Sequence, residues 1–355
     1  MKFSKLLLIT LSISLFVSCS SDDDKNNDTN VEIESPYKNG FFILNEGSLG
    51  QGSVSFLSKD LSTFTKDAYT SANPKDLIGK YVQNIFFDGD KAYIISGGSN
   101  VINVVNRYTF KLIAKIDSGL AKPRYGVVKD GKAYVTNANT YYNFEKPLEN
   151  PNGNIDDYIA VINLTTNTVE SKIELKATGN RIVLKEGKLY ITEPYNNNNL
   201  LIVDIATKTL ETIAIGSSAD TMEEENGILY ILRGPYGARS EIVKVKLSDK
   251  TTTKIAFPES LDGAGFLDIY ESKIYYTAGS SVYAINTTAT TPSTTPILTS
   301  TIGYLYGFAV NNNFIYLADS GDYKQDSKAY IYNLGGTLQK ELTVGVAPNG
   351  FYFNN

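Results

Sequence analysis

The sequence predicts an all-β protein, a seven-bladed β-propeller closed by its own C-terminal strand, and three observations carry that reading. The first is a recurring unit: a polar turn, usually with glycine, then two or three residues and a tyrosine or isoleucine in a short apolar strand. It is clearest at Asp130-Gly131-Lys132-Ala133-Tyr134-Val135-Thr136-Asn137 and returns after Asn39-Gly40, Asp88-Gly89, Glu186-Gly187 and Asn226-Gly227, and without glycine after Glu271-Ser272 and Asn312-Asn313. Aligned on Ile43, Tyr93, Tyr134, Tyr190, Tyr230, Tyr275 and Tyr316, the copies stand 50, 41, 56, 40, 45 and 41 residues apart. A period of about 40 residues, with only strand-like sequence between copies, marks a propeller in which each repeat is one four-stranded blade. The second observation is composition: 42% hydrophobic residues with 25 Tyr and 16 Phe suit strands and a packed core. The third is that the two ends complement each other. The first repeat begins at Phe41 with no inner strand before it, and Gly345–Phe353 reads as an inner strand with no repeat after it. Pairing the two closes the ring and removes exposed edges.

Residues 1–18 read as a secretory leader, with Lys2 and Lys5 ahead of an apolar run from Leu6 to Val17 that is short for a membrane span. Leu15-Phe16-Val17-Ser18-Cys19 resembles a bacterial lipobox, with Phe16 where that pattern prefers Leu or Val, and makes Cys19 the lipidated residue. Cys19 is the single cysteine, so no disulfide forms within the chain. The tether, residues 19–37, opens with a polar, acidic run through Asp28 that has nothing to bury. A Ser-Ser-Asp-Asp-Asp run behind the lipid cysteine resembles the export signal that carries Bacteroidetes lipoproteins to the outer face of the outer membrane. The propeller occupies residues 38–355.

Within it, each repeat reads strand, loop, strand, turn, strand, loop, strand. In the third, Tyr125–Val128 pairs with Ala133–Thr136 through the Asp-Gly turn, a strong hairpin signal. Tyr158–Asn163 and the alternating Val169–Leu175 complete that blade. The same outer pair returns at 200–205 with 210–215, 241–247 with 252–257, and 329–334 with 338–344. No stretch beyond the leader has sustained helical periodicity.

The literal Tyr134-Val135-Thr136-Asn137 and the Ile162-Asn163-Leu164-Thr165-Thr166 step resemble the YVTN repeat of YncE-like seven-bladed propellers from bacterial envelopes and archaeal surfaces. The likeness spans roughly residues 40–353 and is literal in one blade. With the lipoprotein leader and the opening Phe42-Ile43-Leu44-Asn45-Glu46-Gly47-Ser48, the chain also resembles Bacteroidetes surface propellers encoded with TonB-dependent transporters, some of which capture cobalamin. That resemblance implies capture of a solute, a corrinoid, siderophore or glycan, and handover to a transporter partner.

The residue inventory narrows the chemistry. The chain has no histidine, which excludes Ser-His-Asp catalysis and His-ligated zinc, copper or haem. A net charge of −5 without a basic cluster argues against nucleic acid. Asn152, Asn154 and Asp156 have the alternate spacing of calcium ligands, but no glutamate follows where a calcium loop needs one, so they read as a solvated loop. The chain is thus expected to be non-catalytic, with no cofactor and no metal, and to meet the membrane only through its lipid. An adhesion or protein-interaction scaffold is the alternative function, and a carboxylate-dependent enzyme, which a chain without histidine still allows and which a pair of buried carboxylates in the central funnel would favour, is the least expected.

Propeller connectivity gathers the long loops, 45–52 and 137–157 among them, on one face with the blade-to-blade connections. Inner strands enter there, and their first residues converge on one axis. The candidate ligand-binding residues are Arg124, Tyr125, Tyr141, Tyr142, Arg181, Tyr195, Arg233, Tyr236, Tyr306 and Tyr323. Arginine forks suit a carboxylate, phosphate or amide, and tyrosine offers a flat face and a hydroxyl at low entropic cost. The competing account has the arginines pairing with local acids such as Glu193 and the tyrosines pinning their own loops.

Overall fold

A computed structural model describes residues 35–138, 155–195 and 197–354. Cys19, the leader and tether through 34, and Tyr141 and Tyr142 lie outside the described residues. The chain from 35 onward forms seven antiparallel four-stranded sheets arranged as a seven-bladed propeller. Blades 2 to 7 begin with the innermost strands Val82–Asp88, Pro123–Lys129, Arg181–Lys185, Ala219–Glu225, Ala264–Tyr270 and Leu305–Asn311. Blade 1 takes its innermost strand, Pro348–Asn354, from the far end of the chain and pairs it with Gly40–Asn45.

Closure is fastened at both ends of that strand. The Asn354 amide, fully buried, donates to the carbonyls of Tyr37 (2.6 Å) and Arg107 (3.0 Å). Asn349 donates to the Val82 carbonyl of blade 2 at 2.8 Å. Phe41, Phe351 and Phe353 pack around Tyr316 of blade 7, with Phe41 and Tyr316 4.9 Å apart edge to face. Deletion of this strand would therefore open two blade interfaces as well as one sheet.

The repeating unit has a physical basis in turn geometry and in contacts between blades. Both central residues of the first hairpin turn have positive φ at Asp130-Gly131, Glu186-Gly187, Asn226-Gly227, Glu271-Ser272 and Asn312-Asn313. That is the backbone of a type I′ turn, whose twist matches the flanking strands. Behind it, Tyr134 buries its ring between blades 3 and 4. The Thr136 hydroxyl donates to the Asn180 carbonyl of blade 4 at 2.7 Å, and Thr192 does the same to Asp220 of blade 5 at 2.7 Å. Asn137 accepts from the Ala121 N–H (2.9 Å) and so holds the chain entering its own blade. In blade 3 the motif's tyrosine packs against blade 4 and its asparagine positions the entry, and the threonine tie to the next blade is shared by blades 3 and 4.

One element departs from expectation. The outermost strand of blade 1 is only Phe64–Thr65, and a single helical turn, Ala68–Ala72, packs against Ser53–Ser58. Asp67 caps it by accepting from the Thr70 N–H at 3.1 Å, and Tyr69 is fully buried beneath it. A helix of one turn is too short to leave a periodic signal, and tertiary packing rather than propensity holds it.

Candidate functional site

A shared backbone device builds the mouth of the central channel. In six of the seven blades the innermost strand slips register near its entry, placing extra residues opposite its neighbour. Such a bulge re-aims side chains that a regular strand would send alternately to the two faces. The residues within these bulges are Gln83, Arg124 and Tyr125, Asp220 and Thr221, Gly265 and Phe266, Tyr306, and Asn349. Blade 4 has no slip and contributes Asn180 and Arg181 at its first step. Apart from Thr221, all of these line one cavity of about 660 Å³ on the long-loop face.

The floor of that cavity is a connected polar network. The Arg181 guanidinium lies 4.4 Å over the Tyr125 ring, and its Nε donates to Asp220 Oδ1 at 3.3 Å. Asn180 donates to the same Asp220 oxygen (3.3 Å) and accepts from Arg124 Nη1 (3.1 Å). Gln83 donates to the Tyr125 hydroxyl at 3.0 Å. Burial works against the charge on Arg181, but Tyr125 and Asp220 more than offset it, so the residue stays a cation. Its pairing with Asp220 and stacking on Tyr125 fix the guanidinium plane before any ligand arrives, which lowers the ordering cost of binding.

Above the floor stand three outward tyrosines, Tyr195, Tyr236 and Tyr304, respectively 83%, 106% and 58% exposed. Tyr306 donates from its hydroxyl to Glu46 at 2.5 Å, and its ring meets Tyr323 at 5.4 Å and Tyr304 at 6.4 Å. Burial raises the Glu46 carboxyl above its ordinary range, while the Tyr306 bond holds part of that shift back. The mouth thus combines flat aromatic faces at the rim with fixed donors and acceptors beneath.

Deeper along the axis lies a second chamber of about 360 Å³, which shares Tyr125, Arg181, Phe266 and Asn349 with the mouth. At the level opposite the repeat's tyrosine or isoleucine the seven blades carry Phe86, Val127, Val183, Glu223, Asp268, Ala309 and Phe351. Five are apolar, and two adjacent ones are acids. Asp268 accepts from the N–H groups of Val310 (2.7 Å) and Ile269 (2.7 Å) and so ties blade 6 to blade 7. Glu223 faces the water of the channel but is enclosed by protein, which pushes its carboxyl up, and the Asp268 charge adds to the rise against Arg181. Asp268 is also raised by enclosure, with its two backbone donors opposing. Among the described residues no three carboxylate or cysteine side chains gather in a way that could hold a metal ion.

Six of the candidate residues read from sequence come together here: Arg124, Tyr125, Arg181, Tyr195, Tyr236 and Tyr306 all line the mouth. Tyr323 stands behind, against Tyr304 and Tyr306, and does not line it. Arg233 points elsewhere: it donates to the Ser217 carbonyl at 2.7 Å and pairs with Glu241, the local-acid account for this arginine. The sequence reading missed Asp220, Asn180, Gln83 and Asn349 in the floor, Tyr304 at the rim, and the Glu223–Asp268 pair. The repeat alignment does hold a signal for that pair, since Glu223 and Asp268 each sit seven residues before the repeat's tyrosine, where Phe86, Val127 and Val183 are apolar.

Residues 39–311 match the model of a family described as a domain of unknown function, DUF5074. No curated protein matches the sequence. Among solved structures, the extracellular domain of the one-component system BT4673 from B. thetaiotaomicron aligns at a TM-score of 0.59 and 13% identity, over 85% of this chain and 42% of that one. Hydrazine synthase of Kuenenia stuttgartiensis aligns at 0.57 and 13%, over 74% and 86%. Apo AztD from Citrobacter koseri aligns at 0.54 and 12%, over 88% and 96%. At these identities the likeness is one of fold.

Proposed function

The chain belongs to the DUF5074 family, and on that premise we propose that it is a non-catalytic propeller whose long-loop face captures a solute at the mouth of the central channel. One observation carries the reading: register slips aim Tyr125 and Asp220 at Arg181, the first residue of the regular blade 4 strand, and make a pre-paired floor beneath three exposed tyrosines. Concave sites with apolar walls and a few convergent polar groups are where propeller-sized domains bind small molecules. The solute class is a corrinoid, a siderophore or a glycan, each of which offers flat or ring-shaped faces together with hydrogen-bonding groups. The leader and Cys19 support an outer-membrane, lipid-anchored protein that faces the cell exterior, and handover to a TonB-dependent transporter follows from that setting as a proposal. Replacing Cys19→Ala should release the protein from the membrane fraction, and a variant that still sediments with membranes would overturn the anchor.

Binding is tested by calorimetry with cyanocobalamin, ferrichrome and maltoheptaose. The double substitution Arg124→Ala with Tyr195→Ala should weaken the bound probe about 100-fold or more, as expected when two anchoring contacts are lost. Melting should change little, since Tyr195 is exposed. Unchanged affinity would place the site elsewhere. A scaffold role is the second reading, favoured by the exposed apolar side chain of Leu49 on the 45–52 loop outside the mouth. Retention of a protein partner by a chain that binds none of the three probes would favour that reading.

A further inference from the structure

Each blade has an equivalent position three residues before the level that faces the repeat's tyrosine or isoleucine, and six of these line the mouth: Gln83, Arg124, Asn180, Asp220, Gly265 and Tyr306. In blade 1 that position is the buried Pro348, and Asn349 beside it lines the mouth instead. Five of the six present a side chain and blade 6 presents none. Glycine in a strand weakens it, so its presence needs a cause: a left-handed backbone, a crowded neighbour, or the close approach of something else. The fold supplies neither of the first two at Gly265. Its φ is not positive, and a Cβ there would meet only Thr277 Oγ1, at an ordinary 3.6 Å. Its place in a bulge does not demand glycine either, because Arg124 and Asp220 occupy the matching bulges of blades 3 and 5. Gly303, on the exposed connection into blade 7, has no positive φ either, and a would-be Cβ there meets open space.

Both glycines line one cleft of about 370 Å³ between blades 6 and 7. The cleft shares Gly265, Phe266 and Tyr304 with the mouth, so the two are continuous. Among the described residues its lining carries no charged side chain; Thr277 and Ser280 supply hydroxyls, and Phe266 and Tyr304 supply rings. The mouth, by contrast, is floored by Arg124, Arg181 and Asp220.

We propose that Gly265 and Gly303 are specificity determinants that keep this side notch open, so that an uncharged, hydrogen-bonding arm of the captured solute lies against backbone between blades 6 and 7. The inference rests on solute capture at the mouth and adds where, and by what chemistry, the solute is oriented. An arm bearing a carboxylate or phosphate is disfavoured, because the notch has no cation to pair with it.

The test compares the full chain with Gly265→Leu, Gly303→Leu and the milder Gly265→Ala, using calorimetry with cyanocobalamin, ferrichrome and maltoheptaose and thermal melting in parallel. The expected result is that a probe held by the wild type binds at least tenfold more weakly to each leucine variant, and less weakened to Gly265→Ala, with melting temperatures unchanged or raised. Leucine variants that bind as well as wild type overturn the notch and leave capture at the mouth standing. Leucine variants and Gly265→Ala that all melt several degrees lower also overturn it, since the glycines then serve the fold. A wild-type chain that binds none of the three probes overturns capture of these solute classes and the notch with it.

Discussion

Each blade has two ends, and they are built on opposite rules. At the hairpin end, where the innermost strand turns into the next, five blades repeat one backbone solution, two consecutive residues at positive φ between strands in regular register. At the entry end the register slips in six blades, and the residues that emerge differ from blade to blade. The repeated end determines where strands pair and blades stack. The irregular end carries blade-to-blade ties as well, such as Thr136 to Asn180 and Thr192 to Asp220, but there a charged pair, a stacked tyrosine and an absent side chain stand side by side.

The largest effect should come from breaking the ring itself, where both ends of blade 1 depend on the same strand. Removing residues 345–355 takes away the partner of Gly40–Asn45, the Asn354 bonds and the aromatic contacts to Tyr316. Phe351 is almost fully buried, and burial of one such ring stabilises by about 1.5–3 kcal/mol. The backbone of a whole strand is lost as well, against a total stability of roughly 5–15 kcal/mol. The truncated chain should show no cooperative melting transition by circular dichroism. A sharp transition at the wild-type temperature would mean that the ring does not need this strand.

The two ends were also unequally legible from sequence. The hairpin end is written in local chemistry: Asp130-Gly131 and its relatives need no distant information to be read as turns. The closing strand was legible because two incomplete repeats at opposite ends of the chain add up to one. The entry end depends on partners about a blade apart, such as Arg181 with Asp220 and Gln83 with Tyr125, and no local pattern announces them. Bulges also defeat counting by twos, so alternation does not say which of Arg124 and Tyr125 faces the axis. Arg233 shows the danger of reading residue type without register, for its acid, Glu241, lies directly across the neighbouring strand. The one-turn helix at Ala68–Ala72 escaped for the opposite reason, being local but too short for a period.

An intermediate effect should come from the acid level of the channel, where the apolar rule of the repeat is broken at Glu223. Enclosure and the Asp268 charge raise this carboxyl from its ordinary 4.5 to about 8. A carboxyl with a raised folded pKa stabilises the fold in its protonated form, fully below pH 4.5 and progressively less as pH rises toward 8. Glu223→Gln keeps the shape and removes this residue's titration, leaving that of Asp268. The wild type should therefore lose melting temperature between those limits relative to the variant, by a few degrees, and the variant should be the more stable of the two at the upper end. Parallel melting curves across that range would mean that water in the channel solvates Glu223 as freely as bulk.

The smallest effect sharpens the comparison from the hairpin side. Glu271-Ser272 is a turn in which the repeat has lost its glycine, yet Ser272 still takes φ +57. That left-handed backbone costs a non-glycine residue about 1–2 kcal/mol, and glycine offsets roughly 0.5–1 kcal/mol of its own advantage through its freer unfolded chain. Ser272→Gly also gives up a solvent-exposed hydrogen bond to Glu225 at 3.2 Å, which contributes little in water. The balance should leave the variant more stable by about 0.5 kcal/mol, visible as a small rise in the denaturant midpoint at unchanged slope. Binding at the mouth should not move, because the turn sits at the opposite end of blade 6 from Gly265. A gain in stability with affinity intact would separate the two ends experimentally. A loss of stability would show that the serine is held there by contacts beyond the backbone, and that the hairpin end is less uniform than its dihedral angles make it.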